Sequence, residues 1–343
     1  MEKIVTTFNL SAMNTHRFLV FFLIVCSVLH ASEMHVGLLI KPGFKGEVSF
    51  AHRVQSACSN LGWKADIIDI DKPKNMKYNN YDCVISLCPG FYRHPNCPNY
   101  LAIFHPKHHF FKKNGYLYRG YQYFDGYLLT YSPGSCKKKK KDFAKKRYME
   151  WYPTVQKLNH QATDPKYLFH LGSHWGNRLK DNKFRDCFTL LDTQSYMHLH
   201  GDPLLQNYYP QSYQGEIPYD DHSLYEIAAD AGITLVLHTT EHNAHGVPSG
   251  RIFEAAATGT VIICDQNSFV QKNFGDSVLY INTDTDGADI FRQIDQHMEW
   301  ILANKNEALE KAKKAHAIFE KKFLLENQLL RFEQFHNKLK RKK

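Results

Sequence analysis

From Met34 onward, short apolar runs alternate with stretches whose apolar positions recur at helical spacing. "MHVGLLI" (34–40) predicts a strand, followed by the glycine-bearing turn "KPGFKGE". Val54, Ala57, Cys58 and Leu61 then share one face of a helix that Gly62 stops. Four more apolar runs, at 65–70, 81–88, 100–105 and 126–131, predict further strands. A second cycle begins near Lys166. Strands are expected at 167–173, 196–202, 233–238, 260–265 and 277–281, with a helix in "DDHSLYEIAADAG" that ends at Gly232. From Asp289 the chain has no Pro or Gly and reads as helical to its end. Strands alternating with helices imply β-α-β units and parallel sheets covered on both faces. The expected organisation is a first α/β domain over 34–160, a second over 165–320, and a C-terminal helix with a basic tail over 321–343.

Composition supports this picture. A chain of 343 residues, 43% hydrophobic, is long enough for two packed domains, and 20 Tyr with 23 Phe exclude a disordered composition. The net charge of +9 is concentrated in Lys137–Lys141 and Lys338–Lys343. Such runs are solvated loops and termini, or contacts to an anionic membrane surface. No basic groove interleaved with aromatics points to nucleic acid, so none is expected as a partner.

Phe18 to Leu29 is an apolar run preceded by Arg17 and followed by Ala31 and Ser32. It is shorter than the roughly 20 residues a bilayer span needs. It reads as a signal peptide or short signal-anchor over 1–31, which places the chain in the secretory pathway or at a membrane, facing the cytoplasm if uncleaved. Outside this segment the cysteines are odd in number and form no CxxC pair. Cys83, Cys88 and Cys264 sit in apolar runs and are expected to be buried thiols.

The densest chemistry lies in "LHTTEHNAHGVPSGRIFEAAATG" (237–259). Ser249 is a good N-cap for a helix through "GRIFEAAA", Ile252, Phe253, Ala256 and Ala257 form its buried face, and Gly259 is a good stop. A helix start with small residues exposes N–H groups and a positive dipole end, which suits an anion. Gly250 allows close approach to the backbone there, and Arg251 offers a bidentate contact to phosphate oxygens. Glu254, one turn on, can accept hydrogen bonds from a ribose diol. A nucleoside diphosphate thus fits the segment end to end.

The segment "GVPSGRIFEAAATGTVIICD", with "HLGSHWGNRLKDN", "MHLHGD" and "YQGEIPYDDHSLYEIAADAGITLVLH" upstream, resembles the donor-binding half of GT-B glycosyltransferases, in particular the group-1 and spore-maturation-type (glycosyl transferase-like) family. The resemblance covers most of residues 166–282. It implies two Rossmann-like domains facing a cleft, with the nucleotide-sugar on the second and C-terminal helices crossing back to the first. Glu254 is implied to bind ribose, and Ser249 and Gly250 to approach the diphosphate. Gly172 and Ser173 line the same site, Arg178 or Lys180 neutralises the leaving diphosphate in place of a metal, and Ile217 to Tyr219 lie beside the base. Many group-1 members carry a second glutamate eight residues before the ribose-binding one; here that position is Gly246.

The first domain is then expected to hold the acceptor, a glycan, lipid or protein. Glu47, His52, His105 and His108 are candidates for acceptor binding or proton abstraction. His238, His242 and His245 do not form a zinc motif: "TTEHNAHG" reads as a loop and no HExxH is present, so no metal or other cofactor is expected beyond the nucleotide-sugar itself. His242 and His245 are instead expected at the cleft mouth. No GxGxxG follows the first strand and no P-loop is present, which argues against an oxidoreductase or NTPase; an epimerase of the same fold is a weaker reading. The expectation is a metal-independent glycosyltransferase. The alternative is a non-catalytic nucleotide-sugar- or glycan-binding protein, to which the Gly246 departure points.

Overall fold

The structure is a computed structural model that describes residues 33–72, 80–88, 92–104, 123–130, 147–159, 161–172, 180–220 and 222–341. The apolar N-terminal segment, Ser173, Arg178, His105, His108 and the Lys137–Lys141 block lie outside the described residues. Among the described residues, no helix is long and apolar enough to cross a membrane.

The first domain contains β1 (His35–Ile40), α1 (Lys45–Asn60), β2 (Lys64–Asp69), β3 (Cys83–Ser86), β4 (Asn99–Ile103), β5 (Gly126–Leu129) and β6 (Tyr148–Glu150). They form one six-stranded sheet in the order β2-β1-β3-β4-β5-β6, parallel throughout. β3, β4 and β5 are buried along their whole length because both faces of a parallel sheet are covered, which is why they read as continuous apolar runs. β6 is one of the two edge strands. Its pattern is only half-buried, and the sequence offered no apolar run to mark it.

The second domain contains β7 (Tyr167–Gly172), α2 (Asn182–Asp192), β8 (Met197–Gly201), β9 (Tyr213–Gly215), α3 (Ser223–Ala231), β10 (Gly232–Val236), α4 (Thr240–His245), α5 (Gly250–Ala257), β11 (Val261–Asp265), α6 (Ser268–Phe274) and β12 (Leu279–Ile281). Its sheet is also six-stranded and parallel, in the order β12-β11-β10-β7-β8-β9. That order reverses between β7 and β10, and in such sheets ligands bind beyond the carboxyl ends of the strands at the reversal. β9 is a three-residue strand inside what reads as a polar loop.

The helical end is not one helix. It breaks into α7 (Gly287–Ala303), α8 (Lys305–Lys322) and α9 (Leu325–Lys340). The second break falls where the apolar run "FLL" is shared between two cores. Phe323 packs with Phe253 and Phe319 in the second domain, while Leu325, Leu329 and Phe332 pack with Phe50, Val54 and Trp151 in the first. Helical residues on both sides of Leu324 cannot reach both cores without a turn. The resemblance implied that C-terminal helices cross back to the first domain, and α9 does so.

Two chain segments therefore pass between the domains, and they bond to each other. Gln328 accepts from the Tyr152 N–H at 2.8 Å and donates to its carbonyl at 2.9 Å. Thr154 Oγ1 donates to the Phe323 carbonyl at 2.7 Å, and Glu326 accepts from the Lys157 N–H and from Asn60 Nδ2. At the far end of α9, Tyr100 and His336 share a buried hydrogen bond of 2.9 Å. Burial pushes the His336 imidazole down to about 4, with Lys340 adding to the fall, so the ring is neutral at neutral pH.

Candidate functional site

α5 forms where the sequence places it. Ser249 has extended backbone angles and its side chain accepts from the Arg251 N–H at 3.3 Å, while Gly259 ends the segment at φ 65°. Its burial is more complete than one face: every residue from Ile252 to Ala257 is buried, Glu254 included. The helix is covered from several sides, by its own sheet, by α8 and by the first domain. Gly250 is close to backbone as expected, but its neighbour is the interdomain segment. A Cβ there would meet the Pro153 carbonyl at 3.3 Å.

Glu254 is the electrostatic centre of this region. Oε1 accepts from Arg53 Nη1 at 3.0 Å, and Oε2 from Arg251 Nη1. Arg53 belongs to α1 of the other domain, and its side chain and that of Glu254 are only 6% and 8% exposed. Arg53 also reaches the Thr154 carbonyl at 3.4 Å and the Tyr225 hydroxyl, and its Nε is buried with no hydrogen-bond partner. Burial alone would raise the Glu254 carboxyl, but Arg251 and Arg53 outweigh it and hold the group below its ordinary value. Each carboxylate oxygen accepts from a guanidinium and the side chain is only 8% exposed, so in this arrangement a ribose diol has little access to Glu254 unless Arg53 or Arg251 moves. Nothing in the apolar pattern named Arg53. The available signal was an arginine in register with Phe50, Ala57 and the rest of the buried face of α1, a core position at which a charge demands a partner.

The histidine segment corrects an expectation. "TTEHNAHG" is not a loop: Thr240–His245 is a short helix, capped by Thr239, whose side chain accepts from the His242 N–H, and ended by Gly246. Apolar periodicity could not reveal it, because the helix has no buried residue. His238 stands outside it, and the three histidines diverge. His242 Nδ1 lies 2.6 Å from Thr239 Oγ1, and exposed His245 bonds the Glu241 carbonyl at 2.9 Å. His238 turns inward to Asp265 at the end of β11, Nδ1 to Oδ1 at 2.7 Å.

Asp265 also accepts from the His238 N–H at 3.0 Å and from Asn243 Nδ2 at 2.7 Å, and Asn267 donates to Asn243. These donors outweigh burial and keep the carboxyl below its ordinary value, so it is ionised and His238 Nδ1 carries the proton. Cys264 completes a buried cluster of metal-type atoms with His238 and Asp265. The three are joined by hydrogen bonds, His238 Nδ1 to Asp265 Oδ1 at 2.7 Å and the Cys264 thiol to the same oxygen at 3.6 Å, and burial raises the thiol well above its ordinary value. The network ties α4 to β10 and β11 at the carboxyl edge of the second sheet.

Gly246 is explained by its place in this turn. Its backbone is left-handed, at φ 59°, and an added Cβ would run into Ser268 Oγ. A glutamate there would hold a strained left-handed backbone and would require Ser268 Oγ to turn away. The next residue, Val247, packs with Leu101, Ile103, Phe124 and Leu129 of the first domain, so this turn seats the domains together.

The remaining expected residues are dispersed. Gly172 ends β7, and a Cβ there would lie 2.8 Å from Leu205, so packing against the segment after β8 accounts for the glycine. Lys180 is exposed just before α2. Tyr219 is 49% exposed, with Lys45 of α1 lying 5.2 Å from its ring centroid and 3.8 Å from Glu216. Glu47 and His52 are half-buried on α1, the helix that carries Lys45 and Arg53. Among the described residues, then, the structure gathers Ser249, Gly250, Arg251 and Glu254 with Arg53 and Pro153 where the two domains meet, and sets Tyr219 with Lys45.

Residues 184–334 match the model of the family described as Glycosyl transferase-like. No curated protein matches the chain. Among solved structures, a glycosyltransferase from Rickettsia africae is similar at 10% identity and TM-score 0.54, over 90% of this chain and 99% of that one. HepE from Anabaena, solved in complex with UDP, is similar at 10% identity and TM-score 0.50, over 88% of this chain and 99% of that one. TarM is similar at 12% identity and TM-score 0.50; 74% of this chain is covered, and it spans 54% of TarM's length. The two facing parallel α/β domains are the GT-B fold of these structures, as the sequence resemblance implied.

Proposed function

We infer that the chain is a glycosyltransferase that moves a sugar from a nucleoside-diphosphate sugar to an acceptor without using a metal. The reading is supported by one coincidence: the family match falls on the domain whose Ser249–Glu254 helix start, with a buried carboxylate one turn on, packs against the first domain. The bond to be broken joins the anomeric carbon to the diphosphate, so the main chemical task is to stabilise charge on the leaving group. The N–H groups at the start of α5, with Arg251, serve that task. Glu254 accepts the ribose hydroxyls and Tyr219 supports the base, while Lys180 with Ser173 and Arg178 extends the phosphate side. Glu47, His52 and His105 remain candidates for handling the acceptor, a glycan, lipid or protein, in the first domain.

A second reading, a nucleotide-sugar- or glycan-binding protein without turnover, is favoured by Gly246, whose left-handed backbone disfavours the glutamate that many group-1 members carry there, and by the burial of Glu254 against Arg53. The test is a thermal-shift and titration series with UDP, GDP, ADP and their sugars, with and without chelator, followed by assay of nucleotide release. Binding that survives chelation, with release that depends on an acceptor, supports the transferase. Binding without release selects the second reading, and stabilisation by zinc alone overturns both.

A further inference from the structure

Two groups proposed to hold the nucleoside lie on separate elements of the second domain, and both are already engaged by the same helix of the first. Tyr219, proposed for the base, has Lys45 over its ring at 5.2 Å. Glu254, proposed for the ribose, has Arg53 at 3.0 Å. Lys45 opens α1 and Arg53 lies in its middle, about 12 Å further along at the helical rise. One rigid element therefore presents one cation to each position. We propose that α1 is a built-in cover of the donor site, which a nucleoside diphosphate must displace by opening the cleft. The proposal rests on the donor-site reading above.

The two contacts differ in kind. Lys45 is 62% exposed and Glu216 51%, so this end of the cover is held weakly and exchanges readily with solvent. Arg53 and Glu254 are both buried; Arg53 cannot be left without its partner at small cost, whereas Glu254 keeps Arg251. Separation requires water to reach Arg53, and hence movement of the domains. A ribose diol supplies the donors that Glu254 loses when Arg53 leaves, and opening rehydrates the guanidinium. Nucleotide binding and domain opening are thereby coupled through one carboxylate. The turn that seats Val247 against the first domain, and the crossing segments at Tyr152 and Phe323, give the motion its boundaries.

The test titrates UDP, GDP and ADP into the full chain and into Arg53→Met and Lys45→Ala, with small-angle scattering on each. If the cover exists, the nucleotide that the natural chain binds is bound about fivefold or more tightly by Arg53→Met and about twofold more tightly by Lys45→Ala, because the fraction of open protein rises. Its radius of gyration also increases on nucleotide addition. Equal or weaker binding by both variants, with a nucleotide bound by the natural chain, overturns the cover and leaves the donor site standing. Failure of all three proteins to bind any of the nucleotides overturns the donor-site reading and the cover with it. If Arg53→Met does not fold, Lys45→Ala decides the matter, since it alters an exposed side chain.

Discussion

Replacing Glu254 by alanine tests the fold as much as any ligand contact. The substitution strands Arg53, whose side chain is 6% exposed and whose Nε already has no partner. Breaking a buried ion pair by removing one member costs about 3–5 kcal/mol. Arg251, 36% exposed, can turn to solvent and adds less than about 1 kcal/mol. Arg53→Met is milder, about 2 kcal/mol, because Glu254 keeps Arg251. The double variant Arg53→Met/Glu254→Leu removes both charges and fills much of the volume, and is expected within about 1 kcal/mol of the natural chain. Urea unfolding followed by tryptophan fluorescence measures the natural chain, Arg53→Met, Glu254→Leu and the double variant as the four corners of the cycle, with Glu254→Ala beside them. The predicted coupling is at least about 2 kcal/mol, and additivity within about 0.5 kcal/mol would refute the ion-pair account. Loss of sugar transfer in Glu254→Ala therefore proves nothing about ribose until the stability loss is separated from it, and Glu254→Gln, which keeps an acceptor for Arg53, is the cleaner probe. Because the folded carboxyl lies below its unfolded value, the pair's contribution is complete above the ordinary carboxylate range and disappears as pH falls through the depressed value.

His336 sets a second pH dependence with its own window. Its folded value near 4 lies below the ordinary 6.5, so the unfolded chain binds the extra proton between the two. Stability should be level above about pH 6.5 and fall towards pH 4, and His336→Phe should flatten urea midpoints over that range. Gly246→Ala should destabilise by about 1–2 kcal/mol from left-handed strain and the Ser268 clash, with Ser268→Ala restoring part of it; full stability in the single variant contradicts the turn geometry. Asp265→Ala removes the acceptor of three N–H groups and should cost about 3 kcal/mol, read as a lowered Tm, whereas a change within about 0.5 kcal/mol would dismiss the network.

Much of the fold was legible because it rests on local periodicity. The central strands are buried on both faces and read as unbroken apolar runs, while α5 announces itself through Ser249, its alanines and Gly259. What escaped included elements that bury little, β6 and β9 at sheet edges and α4, which has no buried residue, but also the helices α2 and α6, which do bury apolar side chains. The break between α8 and α9 escaped for another reason. No glycine or proline marks it, and it exists because Phe323 and Leu325 belong to different cores.

The site divides the same way. The sequence by itself determined the helix start at Ser249, a carboxylate one turn on, and a glycine at 246, since caps, turns and helical spacing are set within a few residues. Only the tertiary structure decided what that carboxylate meets. Arg53 lies 201 residues away, and its approach depends on how two domains close and on α9 returning to the first of them. The histidines show the converse. The three lie within eight residues, but His238 sits just past β10 while His242 and His245 ride a short helix, so the backbone sends them in different directions. Charge pairing across a cleft is a property of shape, and no local pattern encodes it.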